Sequence, residues 1–262
     1  MIITIEAELD YTIPGGGTVS LQLEAADLPD QRVIESALEM TDAPDPTWIP
    51  AGDGIGRRGW VEVGETLKCR YRARVEIDRP MSDIRAARWV PLAELPAETV
   101  KYLMPSRYCQ SDLFEPFVRS KFDGLEGGAK IAAMRDWIEA NFSYVRGSSD
   151  ETTTVVETFV GRQGVCRDYA HVMITLARAA RMPARAVSVY APDVTPPDFH
   201  MIAEVYVGDE WRLIDATGMA QPDTVARMVV GYDAADIDFM NTYGGPDCEP
   251  ALNSQSVKVL RT

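Results

Sequence analysis

The chain has 262 residues and a formal net charge of −14, from 26 Lys and Arg against 40 Asp and Glu. A length at or past the size at which one hydrophobic core stops growing predicts two domains, and the composition is that of an ordinary soluble globular protein. The acidic balance argues against nucleic acid and anionic membrane as partners, because both repel a negative surface.

No apolar run is long enough to span a bilayer. The opening residues Met1-Ile-Ile-Thr-Ile-Glu6 lack the basic-then-apolar order of a secretory signal. Cys69, Cys109, Cys166 and Cys248 are scattered without a Cys-x-x-Cys pair, and with only two histidines a structural zinc site is not expected. These features together predict a cytoplasmic protein with reduced thiols.

In chain order, Ile3, Ile5, Ala7 and Leu9 alternate with polar residues, and Pro14-Gly-Gly-Gly17 marks a turn before a second alternating run at Val19, Leu21 and Leu23. Residues 41–59 carry so many prolines and glycines that no regular element is expected there. Leu67, Cys69, Tyr71, Ala73, Val75 and Ile77 then define the dry face of a long strand, with Cys69 as a small core residue. Lys68, Arg70, Arg72 and Arg74 line the other face, as a solvated surface in preference to a binding strip. Residues 1–98 are therefore expected to form an antiparallel β-sandwich domain, and 99–262 a second domain. Between them, 102–112 is polar and turn-rich with embedded aromatics, and reads equally as a crossing or as a cleft-lining loop.

Ile131, Met134, Ile138 and Phe142 predict a helix over about 127–142, and Thr154-x-x-Glu157 fits a capping box opening a short helix. Gly164 precedes a third helix, in which Tyr169, Val172, Met173, Leu176 and Ala180 recur at three- and four-residue steps before Pro183 stops it. Cys166 opens that helix, where unpaired N–H groups and the positive end of the dipole favour a thiolate. Ala184–Tyr190 reads as a strand. Phe199–Val207 and Glu210–Asp215 flank Gly208-Asp209, a two-residue hairpin turn. With Val207 opposite Glu210, Ile202 faces Asp215, and His200 becomes its diagonal neighbour at a Cβ separation of roughly 7 Å. After that, 228–236 reads as a strand entering a loop, Gly244-Gly-Pro as a turn, and 256–261 as a closing strand.

A cysteine at a helix start, a histidine on a strand and a carboxylate on the next strand form a complete nucleophilic apparatus. The thiolate attacks a carbonyl carbon, the histidine moves the proton, and the aspartate fixes the imidazole tautomer. The Cys166 N–H supplies one oxyanion donor; Tyr108, Gln110 and Tyr144 are candidates for the second, each with a structural reading at least as good. His171 lies roughly 140° around the helix from Cys166 and reads as a packing residue. Asp168 reads as a first-turn carboxylate favoured by the dipole. Glu204 and Tyr206 share the strand face of His200, and a solvated position is the expectation for both.

Gln163-Gly-Val-Cys-Arg-Asp-Tyr-Ala-His171, Phe199-His200 and Leu213-Ile-Asp215-Ala-Thr217 together resemble the transglutaminase-like superfamily, in particular its bacterial cysteine-protease-like branch. The likeness spans roughly residues 100–220. It implies an α+β fold with a papain-like core, the cysteine helix packed on an antiparallel sheet, preceded by a β-rich domain. It also implies Cys166 as nucleophile, His200 as base and Asp215 as orienter. The expected activity is thiol-dependent acyl transfer or hydrolysis on a peptide bond or glutamine amide, through a thioester. The partner is then a peptide or protein substrate, with no metal and no organic cofactor. The absence of an obvious amine site favours water as acceptor. The alternatives are a non-catalytic module that keeps the fold to bind a peptide, and an interaction scaffold built on the sandwich.

Overall fold

The computed structural model describes residues 1–81, 83–245 and 248–262. The first part contributes β1 (Ile2–Thr12), β2 (Gly17–Leu21), β3 (Gln31–Thr41), β4 (Thr47–Pro50), β5 (Arg57–Val63) and β6 (Thr66–Ile77). There follow α1 (Ala97–Val100), α2 (Glu115–Lys121), α3 (Gly127–Asn141), β7 (Ser143–Tyr144), α4 (Val155–Gly161), β8 (Gln163–Gly164) and α5 (Cys166–Ala179). The chain continues through β9 (Ala184–Tyr190), β10 (His200–Val207), β11 (Glu210–Ile214), β12 (Ala226–Gly231), α6 (Ala234–Ile237), β13 (Met240–Tyr243) and β14 (Ala251–Arg261).

The predicted sandwich is present. One sheet has the order β14-β1-β6-β3 and the other β13-β2-β5-β4, both antiparallel. Leu9, Ile13, Val19, Leu21, Leu23, Val61, Val63 and Leu67 fill the space between them. The alternation in β6 has its expected result: Leu67 to Ile77 are buried on one face, and the basic residues of the other face are exposed. That wet face is an ion-pair ladder, with Lys68 3.1 Å from Asp10, Arg70 3.1 Å from Glu8 and Arg74 3.0 Å from Glu35. Such exposed pairs contribute about 0–1 kcal/mol each, so they help select register more than they stabilise.

Two expectations fail here. Residues 41–59 hold β4 and the start of β5. Pro44 and Pro46 precede β4, and Pro50 is tolerated at its end because β4 is an edge strand, which has no second neighbour to receive an N–H. Gly56 adopts φ +73°, and a Cβ there would lie 2.0 Å from the Met228 carbonyl oxygen, so the residue serves a close approach and not a loop. The closing strand and β13 also join the two sheets of the sandwich, so residues 240–243 and 251–261 share sheets with residues 2–21. The turn expected at 244–246 runs onto Pro246, outside the described residues.

In the second part, β11-β10-β9-β12 form an antiparallel sheet with α5 packed on one face, the α+β arrangement expected of the core. Gly208 and Asp209 have φ of 65° and 67°, as a type I′ turn requires, and the register pairs Val207 with Glu210 and Ala203 with Ile214. Helix α5 was expected to bury one stripe; instead every residue from Asp168 to Arg178 is buried. Its charged members are satisfied internally, whereas Thr175 Oγ1 and His171 Nδ1 have no hydrogen-bond partner among the described residues. Arg178 donates to Ala184 O at 2.9 Å, Tyr232 O at 2.6 Å and Ser106 Oγ at 3.0 Å. The apolar ends of β1 and β6, at Ile3, Ile5 and Val75, lie in the same core as Val172, Leu176 and Val205. The sandwich and the sheet beside α5 are thus joined by continuous packing.

Glu204 and Tyr206 are not solvated: Glu204 is fully buried and Tyr206 nearly so. Glu204 sits between Arg185, at 2.6 Å, and Arg227, at 2.9 Å. Asp53 extends this network to Arg185 at 2.8 Å, and Asp30 pairs with Arg227. Both acids come from sandwich loops, which cover a face that the hairpin alone would leave to water. Residues 102–112 act as a crossing that docks: Tyr102 Oη donates to Asp53 at 2.8 Å, and the Tyr108 N–H donates to Asp233 at 3.0 Å.

Candidate active site

The start of α5 is shaped by Asp168. Its carboxylate accepts the Val165 N–H at 2.8 Å and the Ser149 hydroxyl at 2.5 Å, and pairs with Arg167 at 3.1 Å. This closes the first turn and satisfies one of the N–H groups that a helix start leaves open. Gly164 is required beside it, because a Cβ there would lie 2.5 Å from that of Asp168. The expected dipole role is therefore joined by a specific cap, and Cys166 is left partly exposed at the first helical position.

The hairpin delivers the other two groups. His200 opens β10 and Asp215 follows β11, and His200 Nε2 lies 3.0 Å from Asp215 Oδ2. The carboxylate also accepts the Thr217 N–H at 2.8 Å, the Thr217 hydroxyl at 2.7 Å and the Ala220 N–H at 2.8 Å. The aspartate is held from both sides, and the imidazole plane is held by the aspartate. Burial pushes the Asp215 carboxyl up, but the hydrogen bonds from His200 and Thr217 outweigh it and leave it below the usual carboxylate range.

With Nε2 occupied, Nδ1 is the imidazole nitrogen left for Cys166. It is buried and has no hydrogen-bond partner of regular geometry among the described residues. The sulfur is nonetheless close enough for the two groups to set each other's acidity. Burial pushes the Cys166 thiol up, while His200 and the Met201 N–H bring it below its ordinary value. Burial likewise pulls His200 down, and Asp215 and Cys166 together raise it to about 10. Both shifts favour a thiolate beside an imidazolium. The contrast with the core thiols is sharp, since burial pushes Cys69 and Cys109 up to about 12.

His171 is a packing residue, as expected. It is buried, stacks on Tyr108 at 5.2 Å and accepts the Ala234 N–H at 3.2 Å. Of the three candidate oxyanion donors, Tyr108 gives its hydroxyl to Glu151 O at 2.6 Å and Gln110 its amide to Arg107 O at 2.6 Å, whereas Tyr144 lies next to Cys166. The sequence reading missed the Met201 N–H, a backbone group with no residue signature, and it quoted Thr217 in the Asp215 motif without its role of holding the carboxylate, although Asp-x-Thr spacing is a turn signal. It also missed the clasp over the His200 strand, where Asp198 pairs with Arg146 at 3.4 Å and accepts from Gln255 of β14 at 2.8 Å.

A cavity of about 840 Å³ runs along the outer edge of β11. Asp215 lines it but Cys166 and His200 do not, so it lies behind the carboxylate and away from the sulfur. Among the described residues, no cluster of three or more His, Cys, Asp or Glu is arranged to hold a metal ion.

A sequence model described as the transglutaminase-like superfamily matches residues 115–216, a span that contains Cys166, His200 and Asp215. A solved structure from Cytophaga hutchinsonii, named as a candidate cysteine protease, is 30% identical, covers 99% of this chain and 90% of its own, and superposes with a TM-score of 0.93. The periplasmic domain of TgpA from Pseudomonas aeruginosa, bound to ethylmercury, is 16% identical over 82% of this chain and 92% of its own, with a TM-score of 0.44. A candidate protease from Parabacteroides distasonis is 13% identical over 82% of this chain and 47% of its own, with a TM-score of 0.37. These last two are too distant to carry an argument. No curated protein gives a significant match. At this identity and near-complete coverage in the Cytophaga structure, the chain belongs to the transglutaminase-like superfamily.

Proposed function

We propose that the protein is a thiol-dependent enzyme that transfers or hydrolyses an acyl group from a peptide bond or glutamine carboxamide through a thioester on Cys166. In this reading Cys166 is the nucleophile, His200 the base and then the acid, and Asp215 the group that fixes the imidazole. The observation that carries it is the 3.0 Å contact from His200 Nε2 to Asp215, which leaves Nδ1 for the sulfur at the start of α5.

The chemistry follows from that order. The imidazole holds the thiol proton as an imidazolium, and the thiolate attacks the carbonyl carbon to give a tetrahedral oxyanion. Collapse breaks the C–N bond, and the imidazolium proton passes to the departing nitrogen. Water, deprotonated by the same imidazole, then attacks the thioester and releases the acid. An amine in its place would give a new amide. Water is the acceptor favoured here, because the solved relative with a matching fold is named as a candidate cysteine protease.

Iodoacetamide labelling at mildly acid pH tests the reading. Cys166 should be modified well ahead of Cys69, Cys109 and Cys248, and His200→Ala should remove that preference. Equal, slow labelling of all four thiols would refute it. If Cys166 is selective, Cys166→Ala used as a trap for peptides from a lysate identifies the substrate class.

A further inference from the structure

Two opposite charges flank the thiol and the imidazole. Tyr144 of β7 pairs with Gly164, and the Val145 N–H donates to Gly164 O at 2.9 Å, so Arg146 stands at the end of the ladder that leads into Cys166. Asp198 precedes His200 by two residues. The Arg146 guanidinium reaches Asp198 Oδ2 at 3.4 Å. The ion pair therefore bridges the two segments that carry the nucleophile and the base, at the rim of the cleft between them.

The two partners are not held alike. Asp198 Oδ1 accepts the Gln255 amide at 2.8 Å and the Phe199 N–H at 2.9 Å. The Tyr11 hydroxyl donates to Gln255 Oε1 at 3.3 Å and so fixes which end of that amide faces Asp198. The carboxylate is thus fastened to β1 and β14 of the sandwich, with Oδ2 left for Arg146. Arg146 has no other side-chain partner among the described residues, and its side chain is 56% exposed. An exposed ion pair of this length holds weakly, and a long side chain leaves it at little cost. Arg167, the next cation toward α5, is committed to Asp168 at 3.1 Å and to Asp150 O at 2.5 Å.

We infer that Asp198 is a preformed subsite for a cationic side chain of the substrate, a lysine or arginine beside the scissile carbonyl, and that Arg146 occupies it until substrate arrives. The assignment rests on the acyl-transfer reading above and narrows its substrate class. A fixed carboxylate facing a mobile guanidinium is an arrangement into which an incoming cation can exchange; a subsite built for an anion would fix the cation instead. The net charge of −14 acts in the same direction, because a negative field draws cationic ligands toward the chain. In the exchange the substrate cation takes Oδ2, Arg146 turns to solvent, and no proton moves.

Charged methanethiosulfonates test this without a known substrate. The Cys166 thiolate attacks the sulfenyl sulfur, an S–S bond forms, and methanesulfinate leaves with the electron pair of the broken bond. The three reagents are the 2-(trimethylammonio)ethyl cation, the 2-sulfonatoethyl anion and the neutral methyl compound. Labelling of Cys166 in the full chain at pH 6 is followed by peptide mass spectrometry, each rate being divided by that of free cysteine. Wild type should favour the cation over the anion. Asp198→Asn keeps the Oδ1 acceptor and removes the charge. It should slow the cation and speed the anion by about threefold each, a fall of about tenfold in their ratio, with the neutral reagent unchanged. Asp209→Asn removes an equal charge from the turn at the opposite end of β10 from His200, and screening should leave its ratio within about twofold of wild type. Arg146→Gln vacates Asp198 and should speed the cation by about threefold. A wild-type preference for the anion would overturn the assignment, with Arg146 then the recognising group. Equal ratios in Asp198→Asn and Asp209→Asn would overturn it too, as would a cationic rate that does not rise in Arg146→Gln. If Asp198→Asn fails to melt cooperatively, the Arg146→Gln rate alone decides. Neutral labelling of Cys166 no faster than that of Cys248 would remove the acyl-transfer reading and this inference with it. Fast neutral labelling of Cys166 with no response to Asp198→Asn removes this inference alone.

Discussion

Asp215→Asn is the most informative single change, because neither amide orientation satisfies the site. Oδ1 accepts the N–H and hydroxyl of Thr217, and Oδ2 accepts the Ala220 N–H and contacts His200 Nε2. If the amide NH₂ replaces Oδ2, it points a donor at the Ala220 N–H and forces Nε2 to act as acceptor. The ring proton then moves to Nδ1, and the imidazole can no longer take the proton of Cys166. If the amide is flipped, the NH₂ opposes the Thr217 N–H. A lost charge-assisted hydrogen bond of about 1.5–3 kcal/mol and one unsatisfied buried donor at about 1–3 kcal/mol predict a destabilisation of about 2.5–6 kcal/mol. Loss of the negative charge removes one upward push on the thiol, but loss of the imidazolium is the larger effect. The Cys166 thiol should therefore return toward the ordinary value near 8.5, where on the order of 0.3% is thiolate at pH 6. Alkylation of Cys166 at pH 6, followed by intact-protein mass spectrometry, should slow by about 10²-fold and recover as the pH rises. Turnover, once a substrate is in hand, should fall by on the order of 10⁴, the effect of a wrong tautomer. An Asn variant that alkylates at the wild-type rate at pH 6 would show that the aspartate does not control the imidazole.

Three further outcomes follow from the packing. Burial pulls His171 down to about 4 against an unfolded value near 6.5, so the unfolded chain binds the extra proton between these limits. Stability from this group is complete above pH 6.5 and falls by about 3 kcal/mol as the pH drops to 4; the urea-midpoint difference between pH 7 and pH 4.5 should shrink in His171→Gln, and an unchanged difference would refute it. Gly164→Ala must push Asp168 off the Val165 N–H, at a cost of about 2 kcal/mol, with slower Cys166 alkylation; a wild-type melting temperature would count against the proposed role of that cap. Glu204→Gln leaves Arg185 and Arg227 short of a buried counter-charge and should cost about 3–5 kcal/mol in urea unfolding; a loss below about 1 kcal/mol would mean that Asp30 and Asp53 suffice.

The candidate site was legible where its geometry is local. His200 and Asp215 are joined by a two-residue turn, and a turn of that length leaves few registers, so their proximity follows from counting residues. The dry face of β6 and the stop after α5 were equally readable, the one from period two and the other from Pro183. The strands within 41–59 were not, since proline in an edge strand and proline in a loop look alike until the sheet order is known. Glu204 was misread for a related reason. On an isolated hairpin its face is solvent, and only sandwich loops remote in sequence bring Asp53 and Asp30 to complete the charges around it.

By itself the amino-acid order determined what periodicity and turn chemistry can specify: which segments are strands or helices, that Cys166 heads a helix, and that an imidazole and a carboxylate share one hairpin face. Tertiary structure alone decided that β14 closes against β1, that α5 is enclosed along most of its length, and that β7 pairs Tyr144 with Gly164 just ahead of Cys166. The difference is one of range. Local patterns are constrained by a few bonded neighbours, whereas distant pairings compete with many alternatives of similar local energy, and only the closed packing of the whole chain selects among them.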